Sequence, residues 1–187
     1  MILVGKQLDK ARRRKIMVDI LTWSRTVLAT TPNRWHDLTA TLPPALLSLP
    51  PKAGEWSALQ CLQHLVDTER MVFPKRVGYL LAGQDFPAFD PDSQGSAPIA
   101  DQSPAALSAE FARLRTEALA VLDTVTVADL SKRARHQELG VVTLSELIHE
   151  WAGHDLMHTV QAERALMQPF IQGCGPWLSY FADHVAR

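Results

Sequence analysis

Three histidines carry the chemistry most legible in this chain: His64 on one predicted helix, and His154 with His158 on another. Neutral imidazole is the commonest protein ligand for a transition metal, and three of them leave a coordination position free for water or substrate. His154-Asp155-Leu156-Met157-His158 sets two imidazoles four residues apart, one above the other on a helix face, where both can reach one ion. The pair also falls on an apolar stripe formed by Leu144, Leu147, Ile148, Trp151 and Ala162. Histidines in that position must be neutral and hydrogen-bonded, or bound to a cation, because a charged imidazole is costly to bury.

Three neutral ligands would preserve most of an ion's positive charge and favour an anionic fourth ligand. A divalent ion so held could activate water or a thiol, or polarise a carbonyl. Zinc or nickel suits nitrogen ligands first, and iron or manganese is also compatible. Asp67, Glu69, Glu150, Asp155 and Gln161 are near enough in sequence to orient ligands or move protons. The His-x-x-x-His pair resembles the zinc-protease pattern with Asp155 in place of glutamate, but the shorter side chain and the missing downstream ligand argue against a peptidase. His149 misses that spacing by one residue and reads as a neighbour of the site or a solvated residue. Cys61 lies three residues before His64, where a ligand or nucleophile is conceivable, but its apolar neighbours favour a buried structural thiol. Trp56, Trp151 and Trp177 read as core or pocket-wall residues, and His36, His136 and His184 as surface or loop histidines.

The elements that must position these groups read as helical throughout, with no alternation long enough for a buried strand. A first core helix is expected from about Ile16 or Leu21 toward Leu38, with a break or fresh start at Pro32, ending in the proline-rich stretch Leu42 to Lys52. Ala45 to Leu49 offers one helical turn within that connection. Ser57 to Gln60 forms a capping box for a second helix, with Leu59, Leu62, Leu65 and Val66 on its apolar side, Gln63, Asp67 and Arg70 opposite, and His64 at the boundary. This helix is expected to kink at Pro74 and reach Leu81, before an irregular stretch from Asp85 to Pro98. Ser103-Pro104 opens a third helix, traced by Leu107, Phe111, Leu114 and Ala118 to about Thr124. After a turn at Val127 to Leu130, His136 to Val142 reads as a loop that Gly140 helps to form, open to a slightly extended conformation. Thr143 to Glu146 caps the fourth helix, which carries the His pair to Leu166 or Met167, with Pro169 as its end or a kink. Trp177, Tyr180, Phe181 and Val185 suggest a last short helix packed on the bundle.

The chain has 187 residues, 47% of them hydrophobic, enough for one domain (1–187) with a real core at about 20–168. A net charge of −1, from 19 basic and 20 acidic residues, gives no general attraction for nucleic acid or anionic lipid. The basic run Lys10, Arg12, Arg13, Arg14, Lys15 reads as a solvated helix face. Two cysteines, Cys61 and Cys174, and the absence of a signal-peptide or membrane-length apolar stretch point to a cytoplasmic protein.

Gly54-Glu55-Trp56-Ser57, then His64-Leu65-Val66-Asp67-Thr68-Glu69-Arg70, the loop Leu81 to Asp90, and His154 through Arg164, in this order and separation, resemble the DinB-like (DinB/YfiT-like) superfamily of metal-dependent enzymes. The resemblance covers about residues 20–168. It implies an all-α four-helix bundle of up-down-down-up type, extended by N- and C-terminal helical segments, with a divalent metal on His64, His154 and His158. Relatives often carry a second histidine directly before the last ligand, where this chain has Met157. Some relatives are thiol-dependent transferases or isomerases and some are hydrolases. The resulting expectation is an enzyme in which the ion activates a low-molecular-weight thiol or water against a small electrophile, with thiol transfer preferred; a homodimer is compatible. The rival is a metal-stabilised stress-response or binding bundle without turnover.

Overall fold

In the computed structural model the described residues are 2–90 and 102–186, with side chains described from residue 20 onward. The principal helices are α1 (Ile2–Thr41), the short α2 (Pro44–Leu47), α3 (Ala58–Met71), α4 (Phe73–Ala82), α5 (Pro104–Leu122) and α6 (Leu144–Gly173). The basic run at 10–15 lies in α1, its side chains outside those described, and the part of the expected irregular stretch beyond Asp90 lies outside the described residues.

Local signals set the helix starts. Both capping boxes are complete: Ser57 accepts from the Gln60 amide while Gln60 returns to Ser57, and Thr143 does the same with Glu146. Ser103 caps α5 ahead of Pro104. Pro74 divides the expected second helix in two. Its missing N–H falls in the first turn of α4, where no intrahelical partner is needed, and Val72 takes φ −114°, ψ −77° between the two helices.

Two apolar clusters fill the bundle. One gathers Leu28, Phe73, Val77, Ala118, Leu122, Leu147, Ile148 and Trp151; the other gathers Trp35, Leu47, Leu62, Leu107, Phe111, Ala162 and Leu166. With sequence number rising, α1 and α6 run from the first cluster to the second, whereas α3 and α5 run from the second to the first. This is the up-down-down-up order. Between the clusters lies a buried polar layer: Thr31 on α1, Asp67, Thr68 and Glu69 on α3, Arg115 on α5, and Asp155, His158 and Thr159 on α6.

The first helix does not break at Pro32. Proline removes the N–H that would reach the carbonyl four residues back, that of Leu28. Arg115 supplies the missing donor, its Nη1 lying 2.8 Å from the Leu28 carbonyl oxygen. Pro169 likewise fails to end α6, which continues to Gly173 with Ile171 buried in its last turn.

The expected loop after α5 contains a hairpin. After a 3-10 turn at Asp129–Ser131, β1 (Arg133–His136) pairs antiparallel with β2 (Gly140–Thr143), His136 facing Gly140. The three intervening residues turn with Gly140 at φ 78°, a left-handed conformation that glycine takes without strain. Strands of four residues are too short to display a two-residue period. His136 is not a surface histidine: it is buried, and its Nδ1 accepts from the Glu138 and Leu139 amides, closing the turn.

The C-terminal segment also departs from expectation. Gly175–Phe181 is 3-10 helix, and Trp177 and Tyr180 are 63% and 80% exposed instead of packed. Polar contacts hold the tail: Gln168 and Arg164 donate to the His184 and Val185 carbonyls, and the Ala186 amide donates to Gln168. No helix among the described residues is long and apolar enough to cross a membrane.

Candidate metal centre

His64, His154 and His158 meet in the structure. One ring nitrogen from each lies within 4.8 Å of the other two, and this is the histidine group among the described residues that could hold an ion. His64 comes from the middle of α3, whose capping box fixes its start, and His154 and His158 from successive turns of α6. The Nε2 atoms of His64 and His154 are 3.0 Å apart. Two nitrogens bound at about 2.1 Å in tetrahedral geometry sit about 3.4 Å apart, so the spacing suits a shared ion with little movement.

The rings are held neutral. Burial, followed by the neighbouring His158, brings His64 down to about 4, and burial with His158 and His64 brings His154 down to about 3. Burial also lowers His158, with Gln161 and Asp155 acting in the opposite direction. Gln161 is 2.9 Å from His158 Nδ1, where its oxygen accepts a hydrogen bond from that N–H and leaves Nε2 bare toward the cluster. His154 Nδ1 is buried without a partner among the described residues. The donor set, three neutral imidazoles from two helices with one ring locked in orientation, fits a divalent ion.

Aromatic rings wall the cluster. Trp56 stacks on His158 at 5.7 Å and leans on His64 at 5.0 Å, and Phe73 meets His154 edge-on at 5.2 Å. Trp56 is therefore a wall of the site, Trp151 belongs to the core, and Trp177 is exposed.

Beneath the histidines, Arg115 ties the polar layer together at 1% side-chain exposure. Its Nη1 donates to Asp155 Oδ2 at 2.9 Å, and its Nη2 donates to Asp155 Oδ1 at 2.8 Å and Glu69 Oε1 at 2.7 Å. The Trp151 indole N–H donates to the same Glu69 oxygen at 2.7 Å. One cation thus faces two carboxylates, and burial, opposed by Arg115, pushes the Glu69 carboxyl up. Among the acidic candidates, Glu69 and Asp155 belong to this network; neither hydrogen-bonds a histidine ring. Asp67 is buried, not on a solvated face, and takes a 3.3 Å bond from Gln63. Glu150 and His149 are exposed, the latter 2.7 Å from the Ser145 carbonyl oxygen. Cys61 is fully buried and its thiol is pushed up to about 12 by that burial, so it is a structural residue. Arg115 belongs to no motif, but its place four residues after Phe111 and three before Ala118, on the apolar stripe of α5, is the signal that a buried charge is present.

A profile of the DinB superfamily matches residues 28–162, a span that holds all three histidines, the whole of α3 and α5 and parts of α1 and α6. The chain belongs to the DinB superfamily. Among functionally curated proteins no sequence matches it. Among solved structures, it superposes on YfiT from Bacillus subtilis with a TM-score of 0.68 at 19% identity, covering 80% of this chain and 87% of that one. YfiT is described as a probable metal-dependent hydrolase with an unusual four-helix bundle topology. At that identity the likeness is one of fold, and it agrees with the up-down-down-up order of this DinB superfamily member.

Proposed function

We propose that this protein is a metal-dependent enzyme in which His64, His154 and His158 hold a divalent ion, zinc or nickel before iron or manganese, for the attack of a thiol or water on a small electrophile. The observation that carries the reading is the convergence of three neutral ring nitrogens within 4.8 Å behind aromatic walls. A bound ion would supply Lewis-acid polarisation and lower the pKa of a thiol or water toward neutrality. The chain's own residues do the rest. Gln161 orients His158, Trp56 and Phe73 restrict water at the rings, and the Arg115 layer holds α6 in place.

Thiol transfer is the preferred version, because neutral ligands favour an anionic partner such as a thiolate. Cys61 cannot provide it, so the thiol would be an external low-molecular-weight one. Hydrolysis is the second version, supported by the description of YfiT.

Elemental analysis of untagged protein beside His154→Ala and His158→Ala tests the site: near-stoichiometric metal is expected in the native protein and little in either variant. Full metal content in both variants would overturn the ligand assignment. Zinc-loaded protein with 1-chloro-2,4-dinitrobenzene and a small thiol, or with p-nitrophenyl acetate, then separates transfer from hydrolysis. Metal-dependent stabilisation without turnover on panels of such electrophiles would favour a non-catalytic bundle.

A further inference from the structure

A second feature lies one turn along α4 from Phe73, the residue that touches His154. Val72, just ahead of α4, and Arg76 and Tyr79 on it line a pocket of about 260 Å³ with Phe86 and Phe89, and Lys75 also lines it. The far wall is fastened to the hairpin. The Phe86 amide donates to the Arg135 carbonyl at 3.0 Å, the Gln137 amide returns to Phe86 at 3.1 Å, and Asp85 accepts from the Arg135 amide at 2.9 Å. His136 meets the Phe86 ring edge-on, and Tyr79 stacks on it. The aromatic wall is therefore preformed.

Arg76 is half-buried, with its guanidinium carbon 5.5 Å from the centre of the Phe86 ring. Its guanidinium makes no hydrogen bond or ion pair with any described residue, and neither does the side-chain ammonium of exposed Lys75. Glu138 and Glu150 lie within electrostatic reach of Arg76, but neither closes a pair with it. A guanidinium offers five donors in a planar fork that matches a carboxylate. Partly removing such a group from water without using its donors is unfavourable, and a ligand carboxylate would repay that cost. The two nearby glutamates reduce general attraction for anions, so a ligand would have to win by the two-point fit of its carboxylate. Phe73, in the same first turn of α4 as Arg76, meets the His154 ring at 5.2 Å, placing the pocket beside the histidine cluster.

We infer that this pocket binds a small organic carboxylate with an apolar body, the carboxylate on Arg76 and the body against Phe86 and Phe89. As a binding site it stands on its own geometry. As the anion subsite of the substrate it rests on the metal-enzyme reading above.

The test uses phenylacetate as the probe and 2-phenylethanol as its uncharged counterpart, titrated into metal-free and zinc-loaded full-length protein by NMR. Phenylacetate is expected to bind at least about tenfold tighter than the alcohol, a difference of about 1.4 kcal/mol. Arg76→Gln should erase that preference, and Arg76→Met should do the same while keeping a packing stem over Phe86. An unchanged thermal midpoint in both variants would exclude unfolding as the cause. Equal binding of the alcohol, undiminished phenylacetate binding in both variants, or no binding of phenylacetate would overturn the proposal. A protein that takes up no zinc but binds phenylacetate through Arg76 keeps the pocket and loses the metal reading. The opposite pair of results does the reverse.

Discussion

Replacing Arg115 by methionine removes four hydrogen bonds at once: one to the Leu28 carbonyl, two to Asp155 and one to Glu69. Methionine fills much of the aliphatic volume over Phe111, so the chief loss is the cation between two buried carboxylates. Breaking one partner out of a buried ion pair typically costs about 3–5 kcal/mol, a large part of a domain's roughly 5–15 kcal/mol. The loss should depend on pH. Burial already raises the Glu69 carboxyl, and without Arg115 it rises further. A raised folded-state pKa contributes stability that is present below the unfolded value and lost as pH climbs through the folded value. The deficit of Arg115→Met against wild type should therefore be largest near pH 8 and shrink toward pH 5.5, by up to about 1.4 kcal/mol per pH unit for one proton. Urea unfolding of both proteins in chelator, followed by far-ultraviolet circular dichroism across that range, measures it; titrations common to both proteins cancel in the difference. A deficit under about 1 kcal/mol at pH 7.5 that stays flat with pH would refute the reasoning. Adding Glu69→Gln and Asp155→Asn should restore a substantial part of the stability, since no unpaired charge would then be buried.

Three other outcomes follow from the geometry. In metal-free protein the pKa values of His64 and His154 are brought down to about 4 and about 3, so their stabilisation is complete above pH 6.5 and lost as pH falls toward 4; the loss from pH 7 to 5 should be about 3 kcal/mol relative to a His64→Gln/His154→Gln variant, the part from half-buried His64 being reduced by solvent screening, and equal slopes in denaturant unfolding would contradict it. Cys61 should stay unreactive toward a thiol reagent in the folded protein while Cys174 is modified, as mass spectrometry of single-cysteine variants can read; fast labelling of Cys61 would show that it is not buried. Thr143→Ala removes the hydroxyl from the α6 capping box and should cost about 1 kcal/mol in chemical unfolding, with an unchanged midpoint counting against the cap.

Much of the bundle was legible because its signals are local. Capping boxes, prolines and apolar stripes act within a few residues, and they place the four long helices and bring His154 above His158. The delivery of His64 to that pair is tertiary, and there the resemblance carried what spacing could not. The departures have physical causes. Pro32 reads as a break because the donor that replaces its missing N–H at the Leu28 carbonyl comes from Arg115, 87 positions along the chain from Leu28. His136 reads as a loop residue because its partners are the amides of a turn in a hairpin too short to show alternation. Trp177 and Tyr180 read as core by composition, but the tail is tied by Gln168 and Arg164 through its backbone. Arg76 and Arg115 carry no motif at all, and their meaning comes only from the rings and carboxylates around them.

In an up-down-down-up bundle α3 and α5 run in the same direction, so how far α5 sits along its neighbours is set by contacts between the helices. Apolar faces alone would tolerate a slip of one helical turn, about 5.4 Å, with similar residues meeting again. Arg115 does not tolerate it. It stands on α5 and reaches α1 through Leu28, α3 through Glu69 and α6 through Asp155. A displaced α5 would lose every one of these bonds together, so a single side chain acts as the axial latch of all four helices, and it sits beside the histidines whose spacing depends on that alignment.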